Sequence, residues 1–234
     1  MKLTRVTITG ADDGVDPGEL VRLSAEFPFV EWGILFSRSR QGDPRYPSWR
    51  WLLDLTCRCR PPVALAAHLC GHFARTLLVG EDDWPDEFKG NIADAFARIQ
   101  LNGISPERPP SLVATVLNRT PGVEYVLQSS PRTLPYAALI SVLAENVSSL
   151  WDESGGRGIA LGAAPPLFPG LRQGYAGGIT PDNVVEVISM LRATPGGDPF
   201  WIDMESGVRT DDRFDLQKVR EVLTKARPFV EASS

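Results

Sequence analysis

Three cysteines in 234 residues are too few, and odd in number, for a disulfide framework. Two of them crowd together as Cys57-Arg58-Cys59, and a reducing, cytoplasmic setting is the expectation. No run of lysine or arginine occurs, and the formal net charge is −5 with a pI near 5.2. That balance argues against a nucleic-acid partner, although a local anion pocket fits inside an acidic protein. No segment reaches the roughly 18 consecutive apolar residues of a membrane span. Met1–Arg5 leads into an apolar run broken by threonines, which is not the pattern of a secretory leader. Low-complexity tracts and clear linkers are missing too, so one domain over residues 1–234 is expected. What remains is the composition of a soluble globule, 43% hydrophobic and 23% charged, large enough to form a core without metal or disulfide.

Short apolar runs alternate with amphipathic stretches from end to end, the mark of repeated β-α units. Strands are expected at Arg5–Thr9, Phe29–Phe36, Val63–Leu69, Arg98–Leu101, Val123–Gln128, Ser148–Asp152, Gln173–Ala176 and Phe200–Met204. Helices are expected at Pro17–Glu26, Trp49–Cys57, Trp84–Ala97, Leu134–Glu145, Pro181–Arg192 and Asp215–Ala226, several with apolar residues at helical spacing. Pro- and Gly-rich stretches such as Ser105–Pro110 and Ala160–Gly170 fall between elements and read as loops. Eight β-α units in a chain of this length close into a (β/α)8 TIM barrel. A doubly wound sheet would more typically carry its glycine fingerprint after the first strand, and Ile8-Thr9-Gly10-Ala11-Asp12 has none.

In such barrels chemistry sits at the C-terminal ends of the strands, and a phosphate is often held after strands seven and eight. Three glycine loops fall in that corner. Ala176-Gly177-Gly178-Ile179-Thr180-Pro181 closes the seventh strand, with Thr180 placed to cap a helix that starts at Pro181. Asp203-Met204-Glu205-Ser206-Gly207 closes the eighth. Ser154-Gly155-Gly156-Arg157-Gly158 follows the sixth. Glycine lets the main chain approach a ligand, and free amides at a helix start or a nest favour an anion. The bland reading of each loop is a glycine turn with no ligand.

These residues resemble the phosphoribosylanthranilate isomerase family, the tryptophan-pathway barrel enzymes. Ala176–Val184 is similar to the family's Ala-Gly-Gly-Leu-Thr-Pro-Glu-Asn-Val, and Asp203–Arg209 to its Asp-Val-Ser-Ser-Gly-Val-Glu. Asp152 with Gly155–Gly158 looks like the family's aspartate before a Gly-Gly-Thr-Gly loop. Gln100-Leu101-Asn102-Gly103 stands where the family has Gln-Leu-His-Gly, and Asp43-Pro44-Arg45-Tyr46 resembles its Ser-Pro-Arg-Tyr. The match is dense from about residue 148 and sparse before it.

The resemblance implies a barrel isomerase that moves a proton on a phosphorylated sugar. Asp152 is then the acid, Gly155, Gly156, Gly158, Gly177, Gly178, Ser206 and Gly207 hold phosphate, and Arg45, Asn102, Asp203 and Glu205 bind substrate. No cofactor is implied, and the protein is expected as a monomer or homodimer. The departures fall on the catalysts. The family's strand-one cysteine, its base, is replaced by Thr9, and Arg209 stands in place of a glutamate. A threonine hydroxyl cannot act as a general base near neutral pH without a partner to take its proton.

Strand parity offers substitutes: His68 and Cys70 share a face with Ala64 and Ala66. If that face is interior, both lie at the barrel mouth; if not, they are packing residues. Glu205 is a further candidate, one of Asp203 and Glu205 being structural. A zinc site built from Cys57, Cys59, His68, Cys70 and His72 is rejected, because some 20 Å of extended strand separates the two groups. Asp12 and Asp13 read as solvated loop charges, and the tryptophans, Trp32 and Trp151 included, mostly as packing. Three functions stay open: an isomerase of a phosphorylated sugar-type metabolite, a phosphometabolite-binding protein that has lost catalysis with the cysteine, or an anthranilate-pathway isomerase retained with a substitute base.

Overall fold

The computed structural model describes residues 2–58, 63–81, 83, 93–153, 161, 166–194 and 199–230. In chain order the elements are β1 (Leu3–Thr9), α1 (Pro17–Glu26), β2 (Val30–Phe36), α2 (Trp49–Arg58), β3 (Ala64–Leu69) and α3 (His72–Val79). Then come β4 (Arg98–Leu101), α4 (Pro110–Leu117), β5 (Glu124–Ser129), α5 (Leu134–Leu143) and β6 (Val147–Trp151). β7 (Gln173–Ala176), α6 (Val184–Arg192), β8 (Phe200–Met204) and α7 (Leu216–Ala226) complete the barrel, with a small ribbon of β9 (Arg209–Thr210) and β10 (Arg213–Phe214) after β8. Strands β1 to β8 pair in sequence order into a closed barrel. The seam joins β8 to β1 in parallel, with Thr7 opposite Asp203 and Ile8 opposite Met204.

Alternation along each strand sorts side chains to two faces. Val6, Ile8, Trp32, Ile34, Phe36, Leu65, Ala67, Leu69, Tyr175 and Ile202 point outward into one apolar layer shared with the helices. Trp151 belongs to that layer, as does Trp32, whose indole donates to Ser24 Oγ at 2.9 Å. The opposite face fills the barrel with polar groups. Near the floor, Glu31 accepts from Thr7 Oγ1 at 2.9 Å and from Arg98 at 2.6 Å. Arg98 lies 3.1 Å from Glu124 and stacks 4.4 Å from the ring of Trp201. Trp201 packs with Val126 and Leu150 as a small apolar plug. It fits because residue 174 is glycine: any Cβ there would overlap the indole.

The helix ends follow from local chemistry. Asp16 caps α1 by accepting from the Gly18 amide at 2.9 Å, with Pro17 at the first turn. Asp215 caps α7 through the Gln217 and Lys218 amides at 2.9 and 3.2 Å. Two helices escape the sequence pattern. α3 follows directly on Gly71, in a stretch whose His and Cys read as site residues, and α4 starts at Pro110, inside what reads as a loop. The expected helix Trp84–Ala97 falls mostly outside the described residues; its end is a short 3-10 turn at Ala93–Ala95. The expected cap at Thr180 is also corrected. α6 begins at Val184, and the Thr180 carbonyl, not its hydroxyl, accepts from the Asn183 and Val184 amides at 3.3 and 3.1 Å.

Arg98 bridges Glu31 and Glu124 inside the barrel, while Arg5 pairs with Glu31 at 3.0 Å and Arg172 lies 3.8 Å from Glu124 nearer the surface. Breaking a buried pair strands the remaining charge, at a cost of about 3–5 kcal/mol. Arg98→Leu should therefore lower the unfolding free energy by about that amount in a urea titration. A loss below about 1 kcal/mol would mean that Arg5, paired with Glu31, and Arg172, beside Glu124, compensate the two carboxylates without Arg98.

Candidate active site

The inward face of the strands ends in a cavity of about 320 Å³ at the C-terminal mouth of the barrel. Thr9, His68, Gln100, Gln128, Asp152 and Asp203 form its inner wall. Gly177, Gly178, Thr180, Ser206 and Gly207 close the side above β7 and β8, with Asn102 and Glu205 on the rim. Residues from the ends of most strands thus meet in one space.

At the base of the cavity Thr9 Oγ1 donates to Asp203 Oδ1 at 2.7 Å, both residues buried. The imidazole of His68 and the Thr9 hydroxyl lie over Gly33, where any side chain would collide with them. A polar chain then runs outward. The Gln100 amide donates to His68 Nδ1 at 3.3 Å and to Asn102 Oδ1 at 3.0 Å, and Asn102 Nδ2 donates to Cys70 Sγ at 3.3 Å. A ring that accepts at Nδ1 carries its proton on Nε2. Beyond β5, Gln128 Nε2 donates to Asp152 Oδ2 at 2.9 Å, while the Asp152 amide is tied to Ser129.

Burial decides the charge states. It pushes the Asp203 carboxyl up to about 7, helped by the negative charges of Glu205 and Glu31 and opposed by the Thr9 hydrogen bond and Arg98. Burial, with the Arg98 charge, pulls His68 down to about 3, so the ring is neutral at physiological pH. The Cys70 thiol is pushed up, again mainly by burial, which keeps it protonated. Neither is equipped to be the base that strand parity suggested, although both do point inward.

The loops after β7 and β8 touch through their main chains. A Cβ on Gly207 would overlap the Ile179 carbonyl and crowd Thr180 Cα. Gly177 and Gly178 have φ of 126° and 55°, conformations open to glycine. Asn183 fixes the turn from within: its Oδ1 accepts from the Thr180 amide at 2.8 Å and its Nδ2 donates to the Gly178 carbonyl at 2.9 Å. No acceptor among the described residues is bonded to the amides of Gly178, Ser206 or Gly207. The third expected loop, with Gly155, Gly156 and Gly158, lies outside the described residues.

Arg45 sits on the rim with φ of 76°, its guanidinium donating to Glu205 at 2.6 Å, Ser206 Oγ at 3.3 Å and Asp212 at 3.0 Å. Arg209 is buried and donates to the Gly10 carbonyl at 2.6 Å and to Asp12 at 3.0 Å. Asp12 also accepts from the Arg45 amide at 2.8 Å, and Asp13 from the Ser48 amide at 2.6 Å. Asp12 is therefore a partly buried loop tie, correcting its reading as a solvated charge, while Asp13 is exposed as expected and holds Ser48 from the surface. Gln100 and Gln128 are wall residues that the sequence left unassigned; each is an inward polar residue, and strand parity was the signal that could have found them.

A parallel eight-stranded barrel with glycine turns closing its last two strands is the architecture against which relatives are weighed. The family model for N-(5'-phosphoribosyl)anthranilate isomerase matches residues 154–225. N-(5'-phosphoribosyl)anthranilate isomerase of Desulfitobacterium hafniense strain Y51 is 36% identical, covering 58% of this chain and 56% of its own length. That of Rippkaea orientalis is 29% identical, covering 56% of this chain and 61% of the relative. The chain thus spans a little over half the length of these curated relatives. Phosphoribosyl anthranilate isomerase from Thermotoga maritima superposes over 97% of this chain and all of its own, with a TM-score of 0.62 at 19% identity. A further solved relative, 18% identical with a TM-score of 0.62, holds reduced 1-(O-carboxyphenylamino)-1-deoxyribulose 5-phosphate. The chain is thus similar in sequence to phosphoribosylanthranilate isomerases over part of its length, and shares the barrel fold of their solved structures over nearly all of it. No helix among the described residues is long and apolar enough to cross a membrane.

Two predictions follow from this geometry. Gly207→Ala must separate the loops after β7 and β8, and an overpacked contact of this kind costs about 1–3 kcal/mol. Thermal unfolding should show the loss, and an unchanged Tm would mean that the two turns are not in contact. The second concerns pH. Between about pH 4 and 7 folded Asp203 keeps a proton that the unfolded chain has released, so its contribution to stability falls as pH rises. His68 acts in the opposite sense, since below about pH 6.5 the unfolded chain binds a proton that the folded ring refuses until about 3. Asp203→Asn removes only the first effect. Its stability relative to the parent should climb from pH 5 toward pH 7 by up to about 1.4 kcal/mol per pH unit and then level off. A difference independent of pH would contradict the raised carboxyl.

Proposed function

We propose that this barrel is an isomerase of a phosphorylated sugar-type metabolite, working by acid–base proton transfer with Asp152 as the acid. The observation that carries the reading is the cavity itself, in which Asp152 shares one enclosed space with the main-chain turns at Gly177, Gly178, Ser206 and Gly207. Unbonded amides on those turns suit a phosphate dianion, and φ values open to glycine keep side chains out of its way. Gly155, Gly156 and Gly158 would complete the cradle. Asn102, with Gln100 and Gln128, offers amide groups to sugar hydroxyls. Arg45 can meet a substrate carboxylate only by exchanging its bonds to Glu205 and Asp212. The chemistry needs no cofactor.

The similarity to phosphoribosylanthranilate isomerases makes N-(5'-phosphoribosyl)anthranilate the first substrate to offer, and the phosphorylated compound held by a solved relative is consistent with the cradle. A related structure concerns monomers generated from a dimeric enzyme, and this chain is read as a monomer or homodimer. One observation favours the second reading, a non-catalytic binder: Thr9 has no cysteine chemistry to offer.

Asp152→Asn separates the two. For an isomerase, turnover of N-(5'-phosphoribosyl)anthranilate should fall by about 10²–10⁴-fold, while calorimetric affinity for reduced 1-(O-carboxyphenylamino)-1-deoxyribulose 5-phosphate stays within a few-fold. The same compound without its phosphate should not bind measurably. Equal binding of both forms would sink the cradle; binding without turnover in the unmutated protein would favour the binder.

A further inference from the structure

We infer that Asp203 is the catalytic base, with Thr9 as its positioning residue, so that a Thr–Asp pair across the β1–β8 seam does the work that the family gives to a strand-one cysteine. The inference rests on the isomerase reading above.

A base in this cavity needs an oxygen or nitrogen both free and able to accept a proton. The Thr9 hydroxyl already donates to Asp203. His68 accepts from Gln100 at Nδ1 and carries its proton on Nε2. Glu205 is paired with Arg45. Asp152 is held by Gln128 and serves as the acid. Asp203 combines cavity access, burial and a spare acceptor: Oδ1 takes the Thr9 proton, no hydrogen bond from a described residue engages Oδ2, and, unlike Glu205, it is paired with no described arginine.

The surroundings keep that oxygen reactive. On the inward side Asp203 is faced by Glu205 two residues along β8, by neutral His68, and by Glu31 and Arg98 below, which are paired to each other. Thr9 donates rather than accepts, so it orients the carboxylate in its ionised form without neutralising it. A carboxyl pushed up to about 7 is close to the operating pH, which suits a general base.

The step balances without a co-reactant. In the open-chain iminium of a phosphorylated aminoaldose, the C2–H bond breaks and its electron pair forms C1=C2. The C1=N pair returns to nitrogen, and the proton moves to Asp203, which becomes the neutral acid. Gain of one proton at C1 and loss of one from the C2 hydroxyl complete the ketose, with no net change in atoms or electrons.

The test is a pH–rate series on the full chain with N-(5'-phosphoribosyl)anthranilate, alongside calorimetry with reduced 1-(O-carboxyphenylamino)-1-deoxyribulose 5-phosphate. Asp203→Asn should lose about 10²–10⁴-fold in kcat while still binding the reduced compound within a few-fold, which also shows that it folds. The acid limb of kcat/KM in the parent should lie near pH 7. Thr9→Val, deprived of the hydrogen bond, should move that limb to higher pH, and Thr9→Ser should bring it back; a purely structural threonine would move the rate without moving the limb. Retention of more than a tenth of kcat by Asp203→Asn, or an unmoved limb in Thr9→Val, would overturn the assignment. Complete absence of turnover in the parent would instead overturn the isomerase reading and the base assignment with it.

Discussion

The carbonyl of Ile179 occupies the space that a side chain on residue 207 would need, and the mouth of the barrel is organised around that contact. It is a main-chain to main-chain approach, so only glycine at 207 permits it. It brings the turn after β7 against the turn after β8, and the Asn183 side chain stiffens the first turn from inside. The helical turn that follows carries no threonine cap: the Thr180 carbonyl, not its hydroxyl, accepts from the Asn183 and Val184 amides. What the two turns share instead is a set of amides directed at one end of a cavity whose other end is walled by Asp152, Gln128 and Asp203.

The barrel was legible because short apolar strand runs alternate with amphipathic stretches along the whole chain, a pattern that survives in the bare sequence. Strand ends such as Phe200–Met204 and Gln173–Ala176 were readable without correction. The helices were less so. α4 starts at Pro110 behind Pro109, and a proline pair reads as a loop unless the first-turn preference is weighed against it. At the mouth, the glycine turns at Gly177 and Gly207 could be identified from local pattern, but the partners of Arg45 could not. Asp212 lies 167 residues away and Glu205 160 residues away, distances over which only the closed fold creates proximity. The same holds for Asp203, whose state depends on burial and on Glu31, Glu205 and Arg98 together.

Exchanging a strand-one cysteine for threonine looks like a loss when the residue is viewed alone. With Asp203 as the proposed base, it changes which atom holds the charge. A cysteine must itself ionise, and burial opposes that, as the raised thiol of Cys70 shows. A threonine ionises nothing; it donates, and the charge rests on the neighbouring carboxylate. The polar floor contributes to the setting, since Glu31 adds negative charge beneath Asp203 while Arg98 moderates it from between Glu31 and Glu124.

The rim shows a parallel reassignment of charge. Arg209 stands where the family carries a glutamate, and it is folded inward to clip Gly10 and Asp12 across the β1–β8 seam. Asp12 in turn holds the main chain of Arg45, and Arg45 reaches Glu205. A carboxylate at 209 would face Asp12 and the Gly10 carbonyl, both electron-rich, so the arginine and the acidic loop after β1 are mutually required. That linkage runs from the seam occupied by Thr9 and Asp203 to the edge of the cavity. The departures at positions 9 and 209 are therefore two ends of one rearranged seam: its interior end sets the charge on a carboxylate, and its outer end holds the loops that surround it.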